Sequence, residues 1–554
     1  MLGLLLLAAG FSRAQTPVIT TLVPLANAQG VARNAPITVS FSQPLTGNSA
    51  GALKVFSYQR GGLRTRTSPA ALRSNTLTFA PTSYPYQPGE KVQYSVTRAA
   101  VGTGGTLGAG RVAQFTVATG GSGSGSFTPG ADVPVASGAD GVALADLDGT
   151  GSLDLLMANR YSNTVSLCLN NGSAQFGSRQ VVSVGSEPLS LAVGDVDGDG
   201  DLDLLTANYG AGTVSVRRNN GSGSFSGTQE VPVSASPTDL AVGDVDADGD
   251  LDLVVGGYGL AISIRLNDGT GTFTGTQTLV TGYQHGAIVV GDVDGDGDLD
   301  LAATAYGTVN GTYLNRLCVR LNDGQGNFSG TQDVPVASSP NGLVLGDVDA
   351  DGDLDLLAAT ASGYLCLRPN NGQGIFTAGL DMLVVTNLMT ISLGDVDADG
   401  DQDVVMTDFG APIGNLFVYY NNGQGSFSVG SPGTGGVQGS SMALGDLDGD
   451  GDLDVALSRV NSNFATPTAG TRMNVLGLGV RAPQAAPLLL SPNPAPGVAT
   501  LRGAVPGTTV LVLDAVGRVV LTTTTDTQGV AHLTLPTGFY LVRSGGRSQR
   551  LVVE

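Results

Sequence analysis

Short apolar runs separated by Gly, Asn and Asp dominate this chain from about residue 126 onward. In one well-formed stretch they are Leu189–Gly194, Leu202–Ala207, Thr213–Arg218 and Ser224–Val233. Their length and Val/Leu content predict strands, and no long stretch carries the period of an amphipathic helix. The four-run pattern recurs at roughly 50 residues, the size of a four-stranded propeller blade.

Two markers keep this period. One is an Asp loop, typified by DVDGDGDLD from Asp195, with related loops beginning at Asp146, Asp244, Asp292, Asp347, Asp395 and Asp446. The other is a turn of the form Asn-Asn/Asp-Gly-x-Gly-x-Phe, ending at Phe225, Phe273, Phe328, Phe376 and Phe427. Variants end at Phe176 and Phe127. The Asp loop joins the inner strand of a blade to the second, and the turn joins the third to the outer. Both therefore fall on one face. Phe127 precedes the first Asp loop, so Ser126–Val135 reads as an outer strand without a blade. Met473–Gly479 reads as a third strand without an outer partner. Pairing the two closes the ring and removes an exposed edge.

The flanks differ. Residues 15–118 alternate as strands do, as in Ile37-Thr38-Val39-Ser40-Phe41, over a length that suits a β-sandwich. Residues 119–125 read as a flexible Gly/Ser linker. Residues 126–480 form the repeat region, 481–487 a Pro/Ala-rich hinge, and 488–554 a second, smaller β-rich segment. Residues 1–14 read as a signal peptide: Leu2–Phe11 is apolar but too short to span a bilayer, and Ser12-Arg13-Ala14 places small residues before a cleavage point at Gln15. No other segment reaches transmembrane length. The expected fold is all-β: a seven-bladed β-propeller between an N-terminal Ig-like β-sandwich and a small C-terminal β-sandwich.

Charge sharpens the picture. The formal charge of −21 excludes nucleic acid as a partner. Of 43 Asp, 33 lie in the seven loops, so the acid is concentrated as ligands are. One divalent ion per loop would bring −21 to −7, an ordinary value for a soluble protein. Cys168, Cys318 and Cys366 sit in equivalent strands of different repeats, which predicts buried thiols and no disulfide framework. With no Trp and only His285 and His532, a His-based catalytic or zinc set is excluded.

Full loops place Asp at positions 1, 3, 5, 7 and 9 and Gly at 6. Carboxylates 1, 3, 5 and 9 can converge on one calcium ion, with the carbonyl of 7 completing the shell and its side chain turned outward. Without a cation, carboxylates this close repel. The candidate ligands of the first loop are Asp146, Asp148, Thr150, Ser152 and Asp154, and of the second Asp195, Asp197, Asp199, Asp201 and Asp203. The third carries Asp244, Asp246, Asp248, Asp250 and Asp252, and the fourth Asp292, Asp294, Asp296, Asp298 and Asp300. The fifth carries Asp347, Asp349, Asp351, Asp353 and Asp355, and the sixth Asp395, Asp397, Asp399, Asp401 and Asp403. The seventh carries Asp446, Asp448, Asp450, Asp452 and Asp454. Thr150 and Ser152 should weaken the first loop. Gln402 replaces the Leu of the other loops at position 8, where Leu is expected to plug the core below the ion.

The Asp loops with their Phe-containing Gly turns resemble FG-GAP/VCBS repeats, as in integrin α-subunit propellers and bacterial surface proteins. The resemblance covers roughly Phe127–Val480. It implies a seven-bladed propeller holding up to seven calcium ions, at Asp positions 1, 3, 5 and 9 and the carbonyl of 7. The N-terminal segment resembles a bacterial Ig-like domain, through Pro24-Leu25-Ala26-Asn27, Ile37–Leu45, Asn75–Pro81, Pro88-Gly89-Glu90 and Gln114-Phe115-Thr116. The last segment is similar to a type IX secretion C-terminal sorting domain, through Ser491-Pro492-Asn493-Pro494, Val512–Val519, Gly538-Phe539-Tyr540-Leu541 and Arg550–Glu554. That resemblance implies a protein handled by the type IX secretion machinery and displayed outside the outer membrane, secreted or at the cell surface.

Two functional readings follow. The first is a non-enzymatic, calcium-stiffened scaffold for adhesion or binding of a protein or glycan surface ligand. The second is an exported polysaccharide-binding or polysaccharide-degrading propeller of the lyase type. There His285, beside Tyr283 and just before an inner strand, would stand at the rim as a general base, the plainer alternative being a solvated loop histidine.

Overall fold

The computed structural model describes residues 15–553 apart from 310–311, 386, 410–413, 431–438, 459–466, 477–488, 492–496, 503–506, 515–517, 528 and 545–546. The expected signal peptide and hinge lie outside the described residues. The chain divides into two compact units, Met1–Gly477 and Leu478–Glu554. Among the described residues no helix is long and apolar enough to cross a membrane.

The first unit opens with two facing sheets. One contains Ile19–Val23, Ile37–Phe41, Thr76–Phe79 and Ala71–Arg73, in that order, and the other Leu53–Ser57, Lys91–Val96 and Arg111–Thr116. Strand alternation explains the core between them: Ile37, Val39 and Phe41 point inward from one sheet, Val92, Tyr94 and Val96 from the other.

Seven four-stranded antiparallel sheets follow among the described residues. The second is typical: Pro188–Gly194, Asp203–Asn208, Thr213–Asn219 and Phe225–Pro232, close to the predicted runs. Inner strands touch in cyclic order, and Met442–Gly445 of the last sheet touches Ala139–Ala145 of the first. The clasp closes the last sheet: Gly123–Pro134 pairs antiparallel with Thr468–Leu476, with Phe127 opposite Asn474. Its partner strand starts earlier than expected because Thr468-Ala469-Gly470-Thr471 offers no bulky apolar residue to mark a strand. The Gly/Ser segment is tied down, not free. Gly120 and Gly121 donate to the Gly451 carbonyl, and Gly123 already belongs to the clasp strand.

Blades interlock at the end of each inner strand. A Cβ on Gly243 would meet Leu299 Cδ1 of the next blade at 2.8 Å. Glycine there admits the position-8 leucine of the neighbour. That leucine thus reaches into the seam between blades. The three cysteines are buried and free.

The second unit has two sheets of its own. One joins Leu489–Ser491, Val498–Arg502 and Ala531–Thr534; the other joins Val519–Thr524, Thr509–Asp514, Gly538–Ser544 and Arg547–Val553. Leu501, Val512, Leu533, Val542 and Leu551 form its core.

Candidate metal centre

Each Asp loop is wound around its own carboxylates. The position-1 carboxylate accepts a hydrogen bond from the position-6 amide in all seven loops, as from Gly200 to Asp195 Oδ2 at 2.8 Å. That amide is aimed inward by a backbone only glycine adopts readily: Gly200 has φ +94°. Position 3 accepts from the amide of position 5, as Asp197 does from Asp199 at 3.3 Å.

Position 9 is the anchor. Asp203 Oδ2 accepts from the Val196 amide at 3.1 Å and Oδ1 from the Asn219 amide at 2.8 Å. The same pair of bonds recurs at Asp154, Asp252, Asp300, Asp355, Asp403 and Asp454. All seven are buried. A carboxylate oxygen has two lone pairs, so each can accept an amide and still face a cation.

The carboxylates gather as expected of a cation site. Ligand atoms of Asp195, Asp197 and Asp199 lie within 4.8 Å of one another, as do those of Asp244, Asp246 and Asp248 and of Asp347, Asp349 and Asp351. In the first and fourth loops the grouped residues are Asp146, Asp148 and Asp154, and Asp292, Asp294 and Asp300. Positions 1 and 3 recur in all five groups, joined by 5 or by 9. Position 7 turns onto the Gly turn of its own blade: a Cβ on Gly221 would meet Asp201 Oδ1 at 2.7 Å. Asp250, Asp298, Asp353 and Asp401 repeat this, and Ser152 does so in the first loop. Thr150 keeps only the loop geometry, its amide donating to Asp148 Oδ1 at 3.2 Å. The position-5 residues Asp296, Asp399 and Asp450 accept from the amides of Asp298, Asp401 and Asp452. Position-3 Asp294 and Asp448 accept from Asp296 and Asp450, and Asp397 is buried at the same position in the sixth loop. Asp395 and Asp446 bind their glycine amides as Asp195 does.

This crowding has an electrostatic cost. Burial, then neighbouring carboxylates, pushes the Asp244 carboxyl up to about 8 and the Asp347 carboxyl up to about 7. Burial also raises Asp203, Asp300 and Asp403 to about 8, against the amide bonds that oppose it. Asp146 Oδ1 and both oxygens of Asp452 are buried without a hydrogen-bond partner. An all-oxygen donor set with an unsatisfied buried oxygen at Asp146, a position-1 ligand, fits a hard divalent cation, which would reverse these shifts.

Two features of the site have no signal in the spacing. The first is the asparagine that opens each Gly turn. Asn219 Nδ2 donates to the Leu147 carbonyl at position 2 of the preceding blade. Asn170, Asn267, Asn322, Asn370, Asn421 and Asn474 make the equivalent bond, so every junction is stitched beside its loop. The second is the N-terminal sandwich, which lies over the loops. Arg60 pairs with Asp146 at 3.1 Å, and the Leu63 amide donates to Asp195 Oδ2 at 2.8 Å. Lys54 packs on Gly249, and the Val112 amide donates to Gly297 O at 2.6 Å. Gln29 donates to Asp347 O, and from the connector Thr119 Oγ1 donates to Asp395 Oδ2 at 2.8 Å. With Gly120 on Gly451, all seven loops are touched.

His285 is neither a rim base nor a solvated histidine. It is fully buried, with Nδ1 at 2.9 Å from Thr304 O and Nε2 at 2.7 Å from Thr281 Oγ1. Burial pushes its pKa down to about 4. Its loop folds back onto the second strand of the blade, as Gln284 and Tyr306 bond backbone to backbone, and this contact cannot be read from local sequence.

Comparison with known families agrees with this architecture. FG-GAP-like repeats match residues 146–206, 195–255, 244–303, 347–406 and 395–457. A bacterial Ig-like domain matches residues 13–117. No curated protein matches the chain. Among solved structures, the chain is similar to BBS1N in its complex with ARL6DN, soaked with mercury, at 13% identity and a TM-score of 0.45, over 64% of this chain and 99% of that one. It is also similar to a functionally unknown protein from Desulfotomaculum acetoxidans, at 11% identity and a TM-score of 0.42, over 69% and 99% of the two chains. A protein from Lactobacillus plantarum is similar at 14% identity and a TM-score of 0.40, over 56% and 86%.

Proposed function

We propose that this chain is a secreted or cell-surface calcium-binding β-propeller that acts as a non-enzymatic adhesion or ligand-binding scaffold. The observation that carries the reading is the set of Asp clusters on one face, beneath the N-terminal sandwich. In this reading each loop, at positions 1, 3, 5 and 9 with the carbonyl of 7, holds one calcium ion, up to seven in all. The ions fix the angle between inner and second strands, and the sandwich covers them. The opposite face is then the surface offered to a partner. Residues 1–14 act as a signal peptide and 488–554 as a type IX sorting domain. Residues 15–118, 119–125, 126–480 and 481–487 serve as Ig-like cap, connector, propeller and hinge.

One observation favours a binding role for that face. Tyr209 and Tyr258 follow the second strands of two successive blades, Tyr306 lies within the second strand of the next, and the three stack edge to face at 5.9 and 6.2 Å. Aromatic faces with a polar tip suit sugar rings as well as protein surfaces. Glycan-array and surface-binding assays with calcium and with chelator test the proposal. Calcium-dependent binding that weakens in Tyr258→Ala supports it, and turnover of a polysaccharide would replace it with the enzymatic reading.

A further inference from the structure

The centre of the ring is a cavity of about 390 Å³ between the inner strands and the N-terminal sandwich. Polar and apolar atoms share its surface equally, the apolar part formed by residues such as Ile288, Val290, Leu345, Leu393 and Leu453. Among the described residues, the only charged one lining it is Lys91. Lys91 begins the strand Lys91–Val96, and alternation sends Val92, Tyr94 and Val96 into the sandwich core, leaving Lys91 on the side that faces the propeller. It forms no ion pair and no side-chain hydrogen bond among the described residues. Its side chain is exposed to the open space of the cavity, and the protein around that space lowers its pKa.

Polar groups cluster around it. Thr116 lies directly across the sheet in register with Lys91 and lines the same cavity. Gln59 and Ser392 add two more polar side chains. The fourth is Gln402, the residue that breaks the leucine pattern of the Asp loops. In other blades this position fills the seam with hydrocarbon; here it brings an amide to the cavity that holds the lysine.

We propose that the central cavity is a binding site for a small organic carboxylate with an apolar body, its carboxylate paired with Lys91 and hydrogen-bonded by Gln402 and Thr116, its hydrocarbon against the inner strands. The cavity volume falls within the usual range for small-molecule sites, which combine apolar side chains with convergent polar groups. The single positive charge selects an anion, and the aliphatic side chains of the inner strands favour one with a hydrocarbon body over a fully hydrated one such as phosphate.

Titration calorimetry of the full chain in calcium buffer, with hexanoate as the probe, tests this. Hexanoate is expected to bind at one site, and hexan-1-ol, hexylammonium and inorganic phosphate are expected to bind far more weakly. Lys91→Met should weaken hexanoate about tenfold or more, and Gln402→Leu, which restores the residue of the other loops, by less. A readout on the unsubstituted chain guards against misfolding of the variants. Lys54 and Lys91 are the only lysines, so ¹³C-methylation gives two resolvable side-chain signals by NMR. The Lys91 signal should shift on adding hexanoate while that of Lys54 stays. No hexanoate binding, equal binding of hexan-1-ol or phosphate, or a stationary Lys91 signal would overturn the proposal.

Discussion

Asn219 of the second blade donates from Nδ2 to the carbonyl of Leu147, in the Asp loop of the first, at 2.8 Å. Its own amide meanwhile donates to Asp203 Oδ1 at 2.8 Å. One side chain thus ties a metal loop, a Gly turn and the neighbouring blade together. Asn219→Ala should destabilise the protein by about 1–3 kcal/mol, since it strands a buried acceptor between blades. Asn220→Ala, one residue on, removes only exposed bonds within the turn, from the Ser222 and Ser224 amides to Asn220 Oδ1, and should cost about 0.5–1 kcal/mol. Urea unfolding of the two variants separates them, and equal losses would remove the junction from the account.

How far sequence reaches is visible in the same residues. The Asp loops and Gly turns could be read because each depends on contacts within a few residues, repeated often enough to show a period. The clasp could be read because counting strands left two without partners. Asn219 could not, because its partner lies 72 residues away and any asparagine opening a turn looks like a turn former. The cap could not, because Arg60 and Leu63 meet the loops only once two folded bodies are oriented. His285 misled because a His in a Gly-flanked loop looks exposed until tertiary contacts bury it.

The raised carboxyls set a pH dependence for the metal-free protein. Asp203 and Asp244 titrate near 8 when folded, against an ordinary value of 3.8. The folded state therefore holds protons that the unfolded state has released. Such groups stabilise fully below about pH 4 and lose that contribution as pH rises through 8. Calcium needs the deprotonated ligands, so its stabilisation grows over the same interval. Calorimetry in chelator should show the melting temperature falling from pH 4 to pH 8, while the gain on adding calcium increases. A gain that is independent of pH would contradict this.

Positions within a loop should differ in their effect. Asp197 belongs to the ligand group of the second loop, whereas Asp201 lies against Gly221. A site filled at a hundredfold excess over Kd adds about 2.7 kcal/mol. Asp197→Ala should lose most of that increment for its loop, and Asp201→Ala a smaller part. The measurement is the calcium-induced shift in melting temperature for each variant; a larger loss at Asp201 would reassign the ligands.

The first loop offers the sharpest test, because it exchanges carboxylates for an arginine. Thr150 and Ser152 stand where other loops have Asp, and the Arg60 guanidinium reaches in to Asp146 at 3.1 Å. Arg60 is itself held 4.2 Å from the Tyr84 ring centre, so it is fixed in place. A positive charge this near a cation site opposes the ion, at about 4 kcal/mol for unit charges 4 Å apart near a protein surface. The same charge compensates buried Asp146 when no ion is present. Arg60→Gln should therefore act in opposite directions under two conditions. In chelator it should destabilise the protein by about 3 kcal/mol, the effect of leaving one partner of a buried pair alone. In calcium titrations the weakest site of the wild type should become tighter. Calorimetric unfolding and calcium-binding isotherms on the same variant read both effects, and a loss of stability without a gain in affinity would show that Arg60 only pins the cap.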